Sequence, residues 1–381
     1  MDFSWTPEQL ELKKAVSEFA SNELNHAILE RDSKGEFPFD AWRKCADFGI
    51  QGLPIPSTYG GGGSDILTTM LVMETLGCFC RDNGLLFAIN AHMWSAEMPL
   101  LLFGTEAQKQ KYLVPMCRGD VISGNGSSEP DAGSDVFSMR TTAVRKGDRY
   151  ILNGSKMFVT NAPMAEVLVI YATLDHSRGI GGLCAFLVER GFKGYSVSRD
   201  ISKMGLRTSP MAEVILADCE VPAENLLGME GSGMAAFNCS MEWERACILA
   251  SCIGTMERQL DQCLAYARSR RQFGKPIGSF QSVSNRLADM KVRIETGRML
   301  LYKIGWMAKA GRQPHIEAAI AKLHISESFV QSCLDAVQIH GGYGYTTEFE
   351  QERMLRDSIA SRIYSGTSDI QRNLIARLLD L

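Results

Sequence analysis

A chain of 381 residues, 45% hydrophobic and 22% charged, is too long for one simple core and predicts two or three packed units. Its formal net charge of -4 is spread along the chain and gives no electrostatic argument for nucleic acid or an anionic membrane as partner. The opening Met1-Asp-Phe-Ser-Trp-Thr-Pro-Glu has no basic stretch before an apolar core, and no apolar run approaches the ~20 residues of a spanning helix, so a cytoplasmic location is expected.

Thr6 to about Gly119 reads as helical, with apolar residues three and four apart in Glu8-Gln-Leu-Glu-Leu-Lys-Lys-Ala-Val and Ile66-Leu-Thr-Thr-Met-Leu-Val-Met. Tyr59-Gly-Gly-Gly-Gly-Ser predicts a flexible break, since no Lys-Ser or Lys-Thr follows to make it a phosphate loop. From about Val121 to Gly228 the texture changes to short β-branched and aromatic runs: Tyr150-Ile-Leu, Met157-Phe-Val-Thr, Val167-Leu-Val-Ile-Tyr-Ala and Ala185-Phe-Leu-Val. Lys146-Gly-Asp and Asn153-Gly read as turns between them, which makes a compact all-β unit. Beyond Gly231 the pattern is helical again, with long bundle helices expected over Glu257–Arg268, Gln281–Ala308 and Ala318–His340. The expected domains are 1–120, 121–230 and 231–381. The 11 cysteines are dispersed among apolar neighbours, and Cys78 and Cys80 are too close for a common zinc spacing, so buried reduced thiols and no metal are expected.

The helix begun by Gly231-Ser-Gly-Met should run past Ala250 and carry Phe237, Met241, Glu244, Ile248 and Ser251 on one face. A carboxylate in that stripe is partly buried or faces a cavity. Spacing alone leaves open a structural ion pair, a solvent-facing edge and a catalytic base. Glu242 lies on another face, where Arg245 at i+3 is its expected partner. The turn Ser127-Ser-Glu-Pro-Asp-Ala-Gly-Ser-Asp135 offers hydroxyl and N–H donors, and read alone suits any surface turn.

Several segments, in order, resemble the acyl-CoA dehydrogenases. Ser127, Ser128, Gly133 and Ser134 resemble the loop over the flavin, and Phe158 and Thr160 the strand beside it. Arg270, Phe273, Phe280 and Gln281 resemble the segment that reaches the adenosine-diphosphate half of FAD on a neighbouring subunit. Gln338-Ile-His-Gly341-Gly342 resembles the family's double-glycine turn, and Thr367 and Asp369 complete the flavin match, with His340 read as packed or capping. The resemblance implies a helical N-terminal domain, a middle β-barrel domain, a C-terminal four-helix bundle, FAD and a homotetramer. Many members carry a catalytic glutamate where Ser365 stands. A minority, including isovaleryl-CoA dehydrogenases, carry it at the position of Glu244, followed by arginine and paired with a small residue at the C-terminal position. The resemblance therefore implies Glu244 as base, the Ser365 backbone N–H as oxyanion donor, and Arg245 at the substrate.

A narrower resemblance is to the prolyl-carrier-protein dehydrogenases. It rests on Arg81-Asp-Asn-Gly-Leu, Ala91-His92, Thr160-Asn-Ala-Pro163, Ser240-Met-Glu-Trp-Glu244, Phe280-Gln-Ser-Val-Ser-Asn-Arg-Leu-Ala-Asp-Met290 and Tyr364-Ser-Gly-Thr-Ser-Asp369. It implies L-proline held as a thioester on a phosphopantetheine carrier protein and oxidised towards a pyrroline or pyrrole. Electrons would pass to an electron-transfer flavoprotein or to O2. A short or branched acyl-CoA dehydrogenase is the alternative enzyme, and a flavin-free scaffold the alternative of another class.

Overall fold

The computed structural model describes residues 4–381. The N-terminal unit comprises α1 (Pro7–Glu23), α2 (Ile28–Lys34), α3 (Phe39–Asp47), α4 (Ile66–Phe79), α5 (Asn83–His92), α6 (Met98–Phe103), α7 (Glu106–Gln108) and α8 (Val114–Cys117). Thr6 and Gln9 start α1 with reciprocal side-chain caps on each other's N–H groups. The glycine run is packed, which departs from the flexible break expected. Gly62, Gly63 and Ser64 donate to the carbonyls of Gly52, Ile55 and Leu53, and a Cβ on Gly61 would lie 2.1 Å from the Ile55 carbonyl. The continuous stretch Asn83–Phe103 reaches 21 residues and an 18-residue window of it is 78% buried, so its apolar character serves the core.

The middle unit holds β1 (Ser123–Gly126), β2 (Thr142–Lys146), β3 (Arg149–Thr160), β4 (Val167–Thr173), β5 (Leu183–Glu189), β6 (Tyr195–Val197), β7 (Met211–Pro222) and β8 (Leu226–Leu227). The strand order is β6-β7-β3-β2-β4-β5-β8, with β1 also on β4. The expected barrel is not closed. Edge strands β6 and β8 do not pair, and β2 joins β4 through the single pair Thr142–Thr173 because β1 occupies the rest of that edge. The strands instead form one open sheet around a core of Tyr150, Leu152, Leu168, Phe186, Val188 and Val214. Asn153-Gly does not divide strands either: β3 runs through it with a register shift, because Gly154 at φ +149° fits where a Cβ would strike Thr141.

The C-terminal unit contains α9 (Gly233–Cys247), α10 (Ala250–Ser269), the ribbon β9 (Arg271–Gln272) and β10 (Lys275–Pro276), α11 (Gln281–Lys309), α12 (His315–His340), α13 (Gly342–Tyr345), α14 (Gln351–Ala360) and α15 (Ser368–Leu378). Helices α10, α11 and α12 pack on one another, with α9, α14 and α15 against α12. The helix expected to run past Ala250 breaks at Ile248–Leu249, where Leu249 has ψ −1°. The Ser251 hydroxyl takes up the Ile248 carbonyl at 3.1 Å. The break sets α10 directly against α4, joining both helical units in one core.

That crossing is made of glycine. A Cβ on Gly77 would lie 1.9 Å from the Ser251 carbonyl, and one on Gly254 1.8 Å from the Glu74 carbonyl. Both obstacles are backbone, so no rotamer change relieves them. Gly254→Ala is expected to cost about 3 kcal/mol by forcing the helices apart. A melting temperature within a degree of the parent by circular dichroism would contradict this.

Candidate active site

Glu244 lies at the centre of the α9 face turned to the turn before α15, and is 9% exposed. Its Oε2 accepts from the Ser365 hydroxyl at 2.6 Å and its Oε1 from the Ser240 hydroxyl at 3.1 Å. Burial pushes the Glu244 carboxyl above the ordinary carboxylate range; the two hydroxyls and the Arg245 guanidinium oppose it without cancelling it. A carboxyl of that kind is a competent general base once a substrate excludes water.

Ser365 adopts φ +54°, a left-handed conformation uncommon for serine. The surrounding donors hold it there. Arg245 Nε and Gln371 Nε2 donate to its carbonyl at 3.3 and 3.1 Å, and Gln371 also donates to Gly366. Buried Lys322 donates to the carbonyl of Ser361 one turn earlier. The Ser365 N–H itself makes no hydrogen bond among the described residues. Arg245 thus turns to Ser365 and not to Glu242, because the Ser365 carbonyl is buried and needs a donor. Glu242 faces His315 at 3.3 Å instead.

The second sequence cluster lies on the middle unit. Met157 donates to the Ser128 carbonyl, which ties β3 to the loop after β1. Phe158 stands at a β-bulge with φ +59° and is 59% exposed, so an aromatic face is presented outward at a conformational cost. The hydroxyls of Ser127, Ser128, Ser134 and Thr160 make no hydrogen bond among the described residues. An exposed ring beside unspent hydroxyls and a glycine-bearing turn is the donor set that a planar, carbonyl-rich heterocycle with a phosphate tail requires. Asn125 of β1 reaches Ser240 of α9 at 3.3 Å, which brings this cluster beside Glu244.

Sequence reasoning missed what holds the loop. Glu129 is the anchor: its carboxylate accepts from buried Lys156 at 2.7 Å, from the Thr141 hydroxyl, and from the Arg140 and Thr141 N–H groups. Burial pushes the Glu129 carboxyl up, but Lys156 and these donors outweigh it and leave it below the ordinary range. The signal was a glutamate within a turn that otherwise needs none.

Of the remaining predicted residues, Thr367 and Asp369 follow the Ser365 turn at the start of α15, and the others form a second group. Phe273, 92% exposed, projects from the β9–β10 ribbon with Phe280 at 6.0 Å, and Arg270 lies over the Tyr343 ring beyond Gly341 and Gly342. Gln338 lies on the last turn of α12, Gln281 opens α11, and His340 is packed on Tyr266 with burial lowering its pKa. This second group sits beyond the far end of α10, whose 20 residues span ~30 Å. Thr367 caps α15 through the Ile370 N–H, and Asp369 pairs with Arg372 at the surface.

Family models for the acyl-CoA dehydrogenase N-terminal, middle and C-terminal domains match residues 6–120, 124–219 and 231–379. The chain belongs to the acyl-CoA dehydrogenase family. Membership makes it an FAD-dependent oxidoreductase, in agreement with the donor set around Phe158. Among its relatives, the L-prolyl-[peptidyl-carrier protein] dehydrogenase of Serratia sp. (strain ATCC 39006) is 42% identical over 381 residues, covering 100% of this chain and 99% of that protein. Two solved structures superpose with a TM-score of 0.98. The prolyl acyl carrier protein oxidase AnaB is 52% identical, covering 99% of this chain and 100% of its own. PigA with FAD and proline is 41% identical, covering 100% of both.

Proposed function

We propose that this enzyme dehydrogenates a prolyl group carried as a thioester on a phosphopantetheine carrier protein, oxidising it towards a pyrroline or pyrrole. The observation that carries the reaction class is the buried Glu244 carboxylate, held by Ser365 and linked through Ser240 to Asn125 on the strand before the turn at residues 127–134. Glu244 takes the proton α to the thioester carbonyl. The unpaired Ser365 N–H donates to the thioester oxygen as enolate charge develops there. Arg245 fixes the Ser365 carbonyl, and its terminal nitrogens, which make no hydrogen bond among the described residues, are available to the substrate arm. FAD, when bound, supplies the hydride acceptor. Ser127, Ser128, Gly133, Ser134, Phe158 and Thr160 would hold its ring half. Arg270, Phe273, Phe280, Gln281, Gln338, Gly341 and Gly342 serve a neighbouring subunit of a homo-oligomer, a reading supported by the near-complete exposure of Phe273 and its distance from Glu244 in the same chain.

The prolyl assignment is supported by the named substrates of the relatives. It is tested by mixing purified enzyme anaerobically with prolyl-loaded carrier protein and, separately, with a panel of short and branched acyl-CoA thioesters. Flavin bleaching by the prolyl carrier alone is the expected result, and bleaching by acyl-CoA alone would replace the substrate while leaving the base in place. Repeating the reaction with O2 or an electron-transfer flavoprotein, and weighing the carrier-bound product, identifies the electron acceptor and the number of oxidations.

A further inference from the structure

Glu244 is the end of a directed chain of hydrogen bonds that begins in another domain. Asn125 Nδ2, on β1, lies 3.3 Å from the Ser240 oxygen and 3.5 Å from the Tyr171 oxygen on β4. The Ser240 hydroxyl, one helical turn before Glu244, lies 3.1 Å from Oε1. An ionised carboxylate only accepts, so the Ser240 proton points at Glu244 and the Ser240 oxygen must accept from Asn125. That requirement puts the Asn125 amide nitrogen towards Ser240. It leaves Asn125 Oδ1 enclosed with no partner, a cost that the chain's direction imposes.

The geometry points to Ser240 as a positioning residue for the base, aimed by Asn125: it fixes the rotamer of Glu244 through Oε1 and favours the ionised carboxylate. This rests on the reading of Glu244 as base and gives that site a second support, independent of Ser365. The two carboxylate oxygens are held from two sides, Oε2 from the turn before α15 and Oε1 from α9 and β1. The carboxylate plane is therefore set before substrate arrives. The other titratable and charged groups around Glu244 are Arg245 on its own helix, Tyr171 from β4, Tyr364 from the turn after α14, and behind these Lys322 of α12, which lies over the Tyr364 ring and is pulled down to about 8 by burial and Arg245. Burial holds both tyrosines neutral, pushing their hydroxyls well above the ordinary range, and lowers the Arg245 guanidinium against the opposing pull of Glu244 and Glu242. The acid limb of the rate is assigned to the carboxyl by its disappearance in Glu244→Gln, which leaves Lys322, Arg245 and both tyrosines in place.

Flavin reduction by prolyl-loaded carrier protein, followed by stopped flow across pH, tests this. In Ser240→Ala the acid limb moves to higher pH by roughly one unit, and the limiting rate near neutrality falls roughly 10-fold. The carrier concentration for half-maximal rate and the FAD spectrum stay at the parent values. Ser240→Thr keeps a hydroxyl and restores the limb. Asn125→Ala shifts the limb in the same direction by less, and adds nothing in the Ser240→Ala background, since it acts only through Ser240. A parent-like acid limb in folded, yellow Ser240→Ala overturns the inference, as does an additive Asn125→Ala effect. Glu244→Gln run alongside separates the two readings: full activity there removes Glu244 as base, whereas an inactive Glu244→Gln beside an unshifted Ser240→Ala removes only Ser240.

Discussion

Glu244→Gln is expected to slow flavin reduction by roughly 10³- to 10⁴-fold while FAD and carrier protein still bind. The exchange keeps the shape of the side chain and one accepted hydroxyl contact, reverses the direction of the other, and removes the group that can take a proton. The pH dependence follows from the same contacts. Because burial raises the Glu244 pKa, the parent enzyme gains activity with rising pH along an acid limb above the ordinary carboxylate range. Ser365→Ala deletes a donor that favours the ionised form, so that limb moves to still higher pH. In Glu244→Gln the limb disappears. Turnover at the parent rate in the glutamine variant, measured by stopped-flow absorbance, would remove Glu244 from the mechanism.

Lys156→Met is expected to cost about 3–5 kcal/mol, the largest stability effect among these substitutions, because it strands the buried Glu129 carboxylate. The loss is not confined to stability. Glu129 ties Arg140 and Thr141 to the loop that carries Ser127, Ser128, Gly133 and Ser134, so the variant should also purify with little flavin. Linkage gives the sign with pH. The folded Glu129 pKa is lowered, so the stabilisation is present above its unfolded value and lost as pH falls through the folded one. Pairing the change with Glu129→Leu, which removes both charges, should recover part of the stability, since no carboxylate remains unpaired. Differential scanning calorimetry and the flavin-to-protein absorbance ratio read both effects. An unchanged melting temperature in Lys156→Met would show that the pair contributes nothing.

Much of this protein was legible because its signals are local. The long periodic runs predicted α11 and α12 within a few residues, and the β-branched texture located the middle unit. Glu244 stood out as a carboxylate in an apolar stripe. Ser240 was equally visible in principle, four residues earlier on the same side of the helix. Where local reading failed, a contact from elsewhere had overruled it. The glycine run packs because Gly52, Leu53 and Ile55 supply acceptors, and Asn153-Gly stays within a strand because Thr141 lies over Gly154. Arg245 leaves its helix neighbour Glu242 for a carbonyl 120 residues away in sequence.

By itself, the sequence determined which residue types are present and which of them share a helix face, and through them the family, the flavin and the candidate for the base. Only the tertiary structure decided how the Glu244 carboxylate is held. Ser365 reaches Glu244 because a turn is pinned in a left-handed conformation by Arg245 and Gln371, and Ser240 is aimed because β1 of another domain delivers Asn125. Periodicity records which way a side chain faces along its own element. It does not record what another element brings to meet it, and the basicity of a buried carboxyl depends on that meeting.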